Sequence, residues 1–432
     1  MSAAAAAELV RDRDTLAIPL GPGQPGSLLH ALGEREHFDE LRVFGALLVD
    51  FYPLFTRSGV KLLSGFFGPV ERMLLGAGHD VEFVPADFRR FASIARRLSP
   101  RVMATNATPP DRDGRLSLSL HAGATLEELH AAGRDPKRIL IVETNEALPR
   151  TLGLPPEHPH SLHVDEIDIL IESDREIFIL PDAEPSDVEH RIAEHASPFI
   201  LDGATLQTGI GGIPNAVMSI LAKSAGGDYG IHSEMFTTGL MRLHQAGKVS
   251  NRKGHLDGLS ICTFAGGTRE LYDWLDGNEE VRFLPVDQVN DPGIIAGNRR
   301  FVSINGALSV DLFGQIAADT LGGIQFSGIG GHEDFVAGAA FSDHGRSLVC
   351  LPATAKVGDQ LVSRIVTALA CDTLVTTPRH QADVVITEYG SAELAGRTVG
   401  ERAEALAAIA HPDMRDSLAK QEAGVASVSV GN

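Results

Sequence analysis

Long apolar runs are missing from this chain. No window approaches the ~18 uninterrupted apolar residues that a membrane-crossing helix needs, so no membrane partner is expected. The first eight residues hold no basic region, and Arg11, Asp12, Arg13 and Asp14 follow before an apolar stretch can form. That is not the pattern of a secretory leader. Cysteine is scarce: Cys262, Cys350 and Cys371 stand far apart, with neither a disulfide framework nor metal-ligand spacing. Reduced thiols in a cytoplasmic protein are the expectation, and nothing in the sequence requires a metal. Basic residues are too few for a nucleic-acid surface, since 37 Lys and Arg face 57 Asp and Glu, a formal charge of −20. An acidic envelope still leaves room for a local basic pocket around a phosphorylated ligand.

What the chain does have is glycine and apolar bulk. Its 45 glycines imply many tight turns, and 43 % apolar residues among 432 are ample for two cores. With aromatics at only 6 %, the profile is that of an α/β enzyme. A strand at 15–20, a turn through Gly21-Pro22-Gly23-Gln24-Pro25-Gly26 and a helix over 28–35 open the first half. Further strands are predicted at 42–50, 101–105, 116–120, 138–144, 167–172 and 176–180. Asn145 and Pro149 follow a buried strand, where open α/β sheets place ligands. A loop with two prolines at 181–185 and a helix over 186–194 mark a boundary, giving domains 1–184 and 185–432. The second half restarts the alternation. Strands are predicted at 204–208, 230–233, 259–264, 281–285, 301–305, 308–312, 347–351 and 384–387. Helices are predicted at 215–223, 240–246 and 268–275, the first beginning just after Pro214.

The chemistry-bearing stretch is Gly230-Ile231-His232-Ser233-Glu234-Met235-Phe236-Thr237-Thr238-Gly239. Two glycine loops flank it, Gly209-Ile210-Gly211-Gly212-Ile213-Pro214 and Gly328-Ile329-Gly330-Gly331-His332-Glu333-Asp334-Phe335. The first loop is not a dinucleotide fingerprint, because Pro214 stands where a third glycine belongs. It can still hold an anion on backbone N–H groups at a helix start. A glutamate after a strand is commonly a helix N-terminal carboxylate, and that reading stays open for Glu234. The alternative is a covalent nucleophile, which needs donors for the oxyanion it generates. Competing nucleophile patterns are absent: there is no Gly-x-Ser-x-Gly elbow, and the 17 histidines lack His-Glu-x-x-His spacing. On a strand, His232 shares the face of Glu234.

The ordered motifs of the second half closely resemble the acetyl-CoA hydrolase/transferase family, the branch with 4-hydroxybutyrate and butyryl-CoA:acetate CoA-transferases. The loop 209–214, His232-Ser233-Glu234-Met235, the segments 303–314 and 327–335, Ser363-Arg364-Ile365-Val366, 385–390 and 411–415 carry the resemblance, over about 200–418. The first half matches more loosely at 20–25, 110–114 and 142–149, and the stretch 50–100 contributes little. The resemblance implies two open α/β CoA-transferase-type domains facing each other across an active-site cleft. It implies Glu234 as the nucleophile of a ping-pong CoA transfer between a short-chain acyl-CoA and a small carboxylate, through a glutamyl-CoA thioester. Hydrolysis of acyl-CoA by the same glutamate is the alternative. Ile210 and Gly331 resemble the oxyanion-hole donors and Asn290 an auxiliary polar residue beside the glutamyl group. Gly209, Gly211, Gly212, Pro214, Gly328, Gly330, Asp334, Phe335 and Lys356 are the candidate coenzyme A contacts, with Arg364 a further phosphate or carboxylate partner. Coenzyme A and acyl-CoA enter as substrates, with no permanently bound cofactor, and a homodimer is the family expectation.

Overall fold

The computed structural model describes residues 1–121, 123–182 and 184–418. Residues 122, 183 and 419–432 of the expected domains lie outside the described residues. The chain packs as two compact units.

Successive residues of the early strands feed opposite cores, which is why these segments read as nearly continuous apolar runs. Leu16, Val43, Leu62, Val102 and Ile141 belong to one buried cluster, with Leu28, Leu29 and Leu32 of the helix Gly26–Gly33. Their neighbours Ala17, Phe44, Leu63, Met103 and Val142 belong to another, with Leu126 and Leu129 of the helix Leu126–Arg134. A sheet covered on both faces suits parallel pairing, and all seven strands are parallel. Their order is Val81–Phe83, Ser58–Ser64, His37–Gly45, Arg13–Ala17, Val102–Ala107, Ile139–Thr144, Ile169–Glu172. Strand order reverses at Arg13–Ala17, so a crevice is expected at its carboxyl end, beside Val102–Ala107.

The second unit has a six-stranded sheet in the order Gly230–Ile231, Thr205–Thr208, Phe301–Gly306, Arg346–Cys350, Val384–Thr387, Gly390–Glu393. Only the last, an edge strand, runs antiparallel to its neighbour. Here the order reverses at Thr205–Thr208, which delivers the first glycine loop. Val349, Val385, Leu394, Leu406 and Ala403 form a core between this sheet and the helix Val399–Ala408.

Several expectations are corrected. The second domain is not the continuous stretch from 185 onward. The first unit comprises Met1–Pro181, Ser233–Phe236 and Leu259–Asp291, and the second comprises Asp182–His232, Thr237–Gly258 and Pro292 onward. Glu234 therefore belongs to the first unit. The reason is pairing: Met235–Phe236 joins Phe264–Ala265 in a parallel pair, and Ala265 N–H bonds the Leu120 carbonyl at 2.8 Å. The strand predicted at 42–50 is instead His37–Gly45. Beyond it, Glu71 and Gln24 take the N–H groups of Leu48 and Val49 at 2.8 and 3.3 Å, which leads the chain off the sheet. Residues 176–180 form no strand. Leu180 N–H bonds Gly267 O at 2.9 Å, outside any ladder. The helix after the first glycine loop starts at Gly212, so Pro214 lies within its first turn, where its missing N–H leaves nothing unpaired.

The stretch 50–100 holds two strands and two helices that the sequence pattern did not reveal. Gly59, the second residue of the strand Ser58–Ser64, has φ +76°, and a Cβ built there lies 1.9 Å from the Phe38 carbonyl oxygen. Gly59→Ala is thus expected to destabilise the fold by about 3 kcal/mol or more, since both the conformation and the backbone contact oppose a side chain. Thermal unfolding of the variant checks this; a melting temperature within a degree of the parent would contradict it.

Candidate active site

Glu234 sits on a bend between the short strands Gly230–Ile231 and Met235–Phe236. Ser233 closes the bend, its Oγ donating to Met235 O at 2.9 Å. Main-chain bonds fix the glutamate itself: its carbonyl accepts the N–H groups of Thr263 and Phe264 at 3.0 and 3.2 Å. Phe236 then stacks on Trp274, with centroids 5.8 Å apart, which anchors the outgoing strand. The helix that follows is capped by Thr237, whose side chain accepts Leu240 N–H. Glu234 does not cap it, so the helix-terminal reading falls away.

The carboxyl group has another partner. Asn290 Nδ2 donates to Glu234 Oε2 at 2.7 Å. Asn290 is fully buried and ends the short helix Val286–Val289, bonding back to Val286 O at 2.8 Å. Both residues belong to the first unit, so the structure brings together two residues 56 positions apart. Burial pushes the Glu234 carboxyl up from 4.5 to about 7, and the Asn290 hydrogen bond pulls against that rise. A carboxylate that is poorly solvated yet held by one amide donor is a better nucleophile than a hydrated one.

His232 does not share this face. No strand continues through residues 233–234, so the period-two argument fails there. Its ring is buried in the second unit, edge-on to Phe301 at 6.1 Å. His332 is also structural: its Nε2 lies 2.9 Å from Thr377 Oγ1, and burial lowers it to about 4.

The remaining candidates lie in the second unit. Gly209, Ile210 and Gly211 link Thr205–Thr208 to the helix Gly212–Lys223 at the point where strand order reverses. Gly211 has φ +118°, a conformation for glycine alone, and the Ile210 side chain is 49 % exposed. Gly328, Gly330 and Gly331 are buried, with Gly330 at φ +57° and Gly331 as N-cap of the helix His332–Phe341. Each loop therefore leads into a helix start, where backbone N–H groups lack intrahelical partners. Asp334 and Phe335 are fully buried, and the Phe335 ring stacks on Phe301 at 5.9 Å. That ring contact holds the helix in place against the sheet strand Phe301–Gly306. Lys356 projects from the exposed hairpin Thr354–Val357 and Gln360–Ser363, with no ion-pair partner among the described residues. Arg364 is half-buried; desolvation lowers its pKa, and the charge of Glu388 opposes that.

The sequence pattern missed one feature of the first unit. A cleft of about 500 Å³ opens where its strand order reverses. Gln24, Asp50, Asn106, Glu143 and Arg175 line it. Glu143 accepts the N–H groups of Ser27 and Leu28, both at 3.1 Å, and so caps the helix Gly26–Gly33. Arg175 Nη2 lies 3.2 Å from Asp50 Oδ2 and 3.0 Å from His30 Nε2. Burial tends to raise Asp50, but the His30 bond, the Phe51 N–H and the Arg175 charge bring it below its ordinary value. Ile177 and Phe178, from the expected strand, line the cleft instead. Asn145 was the one sequence signal, through its place after a buried strand. The cleft loop also reaches toward Glu234. A Cβ at Gly23 would lie 2.4 Å from His121 O, and His121 bridges to Phe264, which bonds the Glu234 carbonyl.

Comparison with known proteins identifies the family. Residues 267–422 match the acetyl-CoA hydrolase/transferase C-terminal domain. The 4-hydroxybutyrate coenzyme A transferase of Clostridium kluyveri is 38 % identical over 82 % of this chain and 80 % of its own length. The succinyl-CoA:cyclohexane-1-carboxylate CoA transferase of Geobacter metallireducens is 36 % identical over 96 % and 92 %. Among solved structures, RipA from Yersinia pestis superposes with a TM-score of 0.88 at 31 % identity, covering 98 % of this chain and 96 % of its own. A 4-hydroxybutyrate CoA-transferase from Porphyromonas gingivalis gives 0.78 at the same identity and coverage. The chain therefore belongs to the acetyl-CoA hydrolase/transferase family and is an enzyme of the CoA-transferase kind.

Proposed function

We propose that this enzyme moves coenzyme A between a short-chain acyl-CoA and a small carboxylate by a ping-pong mechanism, with Glu234 as the covalent nucleophile. The observation that carries the reading is the Asn290–Glu234 bond at 2.7 Å on a main-chain-anchored bend. A Glu234 oxygen attacks the thioester carbonyl, giving an acyl–glutamyl anhydride and coenzyme A thiolate. The thiolate attacks the glutamyl carbonyl, releasing the first carboxylate and leaving glutamyl-CoA. An incoming carboxylate attacks that thioester and expels the thiolate, which then takes the new acyl group and frees Glu234. Each step exchanges one activated acyl bond for another, so the thioester's energy is retained. Asn290 orients the attacking carboxylate, because its Nδ2 leaves Oε1 as the free nucleophilic atom.

By the family resemblance, the backbone N–H groups of Ile210 and Gly331 serve as oxyanion donors, and the glycine loops with Lys356 contact coenzyme A. Donors of this kind contribute ~2.7–4 kcal/mol each to such transition states. We assign the acyl part of the substrate to the first-unit cleft, whose size and mixed polar lining suit a small organic acid.

Hydrolysis is the competing reading, and one observation favours it: an acetyl-CoA hydrolase of Candida albicans is 24 % identical over 72 % of this chain. One experiment tests the mechanism and a second separates the readings. Incubation with acetyl-CoA, then borohydride, is expected to convert Glu234 to the alcohol, replacing one oxygen by two hydrogens in the intact mass. Peptide mapping locates the change. An unmodified, fully active enzyme after trials with acetyl-, propionyl-, butyryl- and succinyl-CoA would falsify the covalent mechanism. Release of free coenzyme A without any acceptor acid, at the rate seen with one, would make the enzyme a hydrolase.

A further inference from the structure

Arginine is out of balance in one part of this acidic chain. A second pocket of the first unit, about 360 Å³, is lined by Arg115, Arg150 and Arg282 against a single carboxylate, Asp111. In a molecule of formal charge −20, that is a local excess of two positive charges. None of these residues has a part in the transfer reaction above.

Carbonyl oxygens hold two of the three guanidinium groups, and the three share a single ion pair, Arg150 with Asp111. Arg150 donates from Nη2 to Pro109 O at 2.6 Å and from Nη1 to Arg115 O at 3.2 Å, with Asp111 3.6 Å away. Arg282 donates from Nη1 to Val281 O at 3.0 Å and to Asn278 O at 3.4 Å. Carbonyl oxygens fix a guanidinium in place but carry no full charge to cancel it. Among the described residues, neither Arg115 nor Arg282 makes an ion pair. Asp111 is itself committed, accepting the N–H groups of Asp113 and Arg115, both at 2.9 Å. Desolvation lowers the Arg282 pKa, with Glu279 opposing, so Arg282 is a cation in want of a counter-charge.

The rest of the wall is mainly apolar and stiff. Leu152, Leu154, Pro155 and Pro159 line it, beside the hydroxyl residues Ser117, Thr151 and Ser161. Leu154 and His158 bond each other's backbone at 2.6 and 2.8 Å. Phe283 N–H ties Leu152 O into the strand Val281–Phe283 at 2.8 Å. A bare inorganic anion would leave that apolar wall unused. Forked guanidinium groups match phosphate oxygens two at a time, and the volume fits one base and sugar as well.

We propose that this pocket binds a small multivalent phosphate ester with an apolar body, in form a nucleoside diphosphate. The test is calorimetric titration of the full-length enzyme with GDP in the presence of saturating coenzyme A, which itself carries an adenosine diphosphate. The expected result is one GDP per chain, undiminished by coenzyme A and weakened by added salt. Arg115→Glu is expected to weaken it at least tenfold while transferase turnover and melting temperature stay at parental values, since the Arg115 side chain is exposed. Arg282→Lys, which keeps charge but loses the fork, is expected to weaken it severalfold. The proposal is overturned if GDP fails to bind at millimolar concentration, if coenzyme A displaces it, or if Arg115→Glu binds it as the parent does. Binding of citrate but not GDP, sensitive to Arg115→Glu, would replace the phosphate ester by a polycarboxylate and overturn the proposal equally.

Discussion

Glu234→Gln is expected to lower turnover by about 10⁴-fold or more, the scale on which removing a covalent nucleophile acts. Gln keeps the size and can still meet Asn290, so the loss isolates the nucleophilic oxygen. Glu234→Asp retains the charge but stands about one bond short of attack, and a similar loss is expected. Steady-state assay with an acyl-CoA and an acceptor acid checks both; turnover within tenfold of the parent in Glu234→Gln would sink the mechanism.

The same substitution is expected to stabilise the protein above pH 7. Burial raises Glu234 from 4.5 to about 7, so between those values the folded state holds a proton that the unfolded chain has released. Stability therefore falls as pH rises through this window. At ~1.4 kcal/mol per unit, discounted for the partial exposure of Glu234, the loss by pH 8 is on the order of 2 kcal/mol. Gln does not titrate, so Glu234→Gln is expected to melt higher than the parent at pH 8 and level with it near pH 4. An enzyme that becomes more stable on losing this carboxyl has function, not folding, as the reason for that residue. Equal melting at both pH values would remove the raised carboxyl from this account.

Asn290→Ala is the second large effect. Nδ2 donates to the charged form of Glu234 at 2.7 Å, and a hydrogen bond to a charged group contributes ~1.5–3 kcal/mol. A fall in kcat/KM of about 10–100-fold at pH 7 is expected on that basis. The bond also lowers the Glu234 pKa, so its removal is expected to move the acid limb of the pH–rate profile upward from about 7. Part of the activity should return at pH 9. A uniform loss at every pH, with the limb unmoved, would make Asn290 a packing residue only.

The buried strands were legible wherever both faces are covered. Ile139–Thr144 and Val384–Thr387 open on the apolar runs 139–142 and 384–386, whose side chains, up or down, are covered. Ser58–Ser64 begins with exposed residues and Val81–Phe83 is three residues long, so neither carries a pattern that stands out from its surroundings. Residues 176–180 erred in the other direction. Their apolar character serves a cleft wall, and no neighbouring strand offers a ladder. The helix starts at Gly212 and not after Pro214, because a first-turn proline needs no N–H partner and so does not mark the last residue before a helix.

Glu234, the two glycine loops and the family resemblance were determined by sequence alone, since they rest on residue type and order along a continuous stretch. Tertiary structure decided that Glu234 packs with the first unit, that Asn290, which the resemblance puts beside the glutamyl group, bonds its carboxyl from Nδ2 to Oε2, and that arginines at 115, 150 and 282 share a pocket. The physical reason is common to all three. They depend on pairings between segments tens of residues apart, and on how far burial strips water from a charged group. Local propensity and periodicity contain neither quantity.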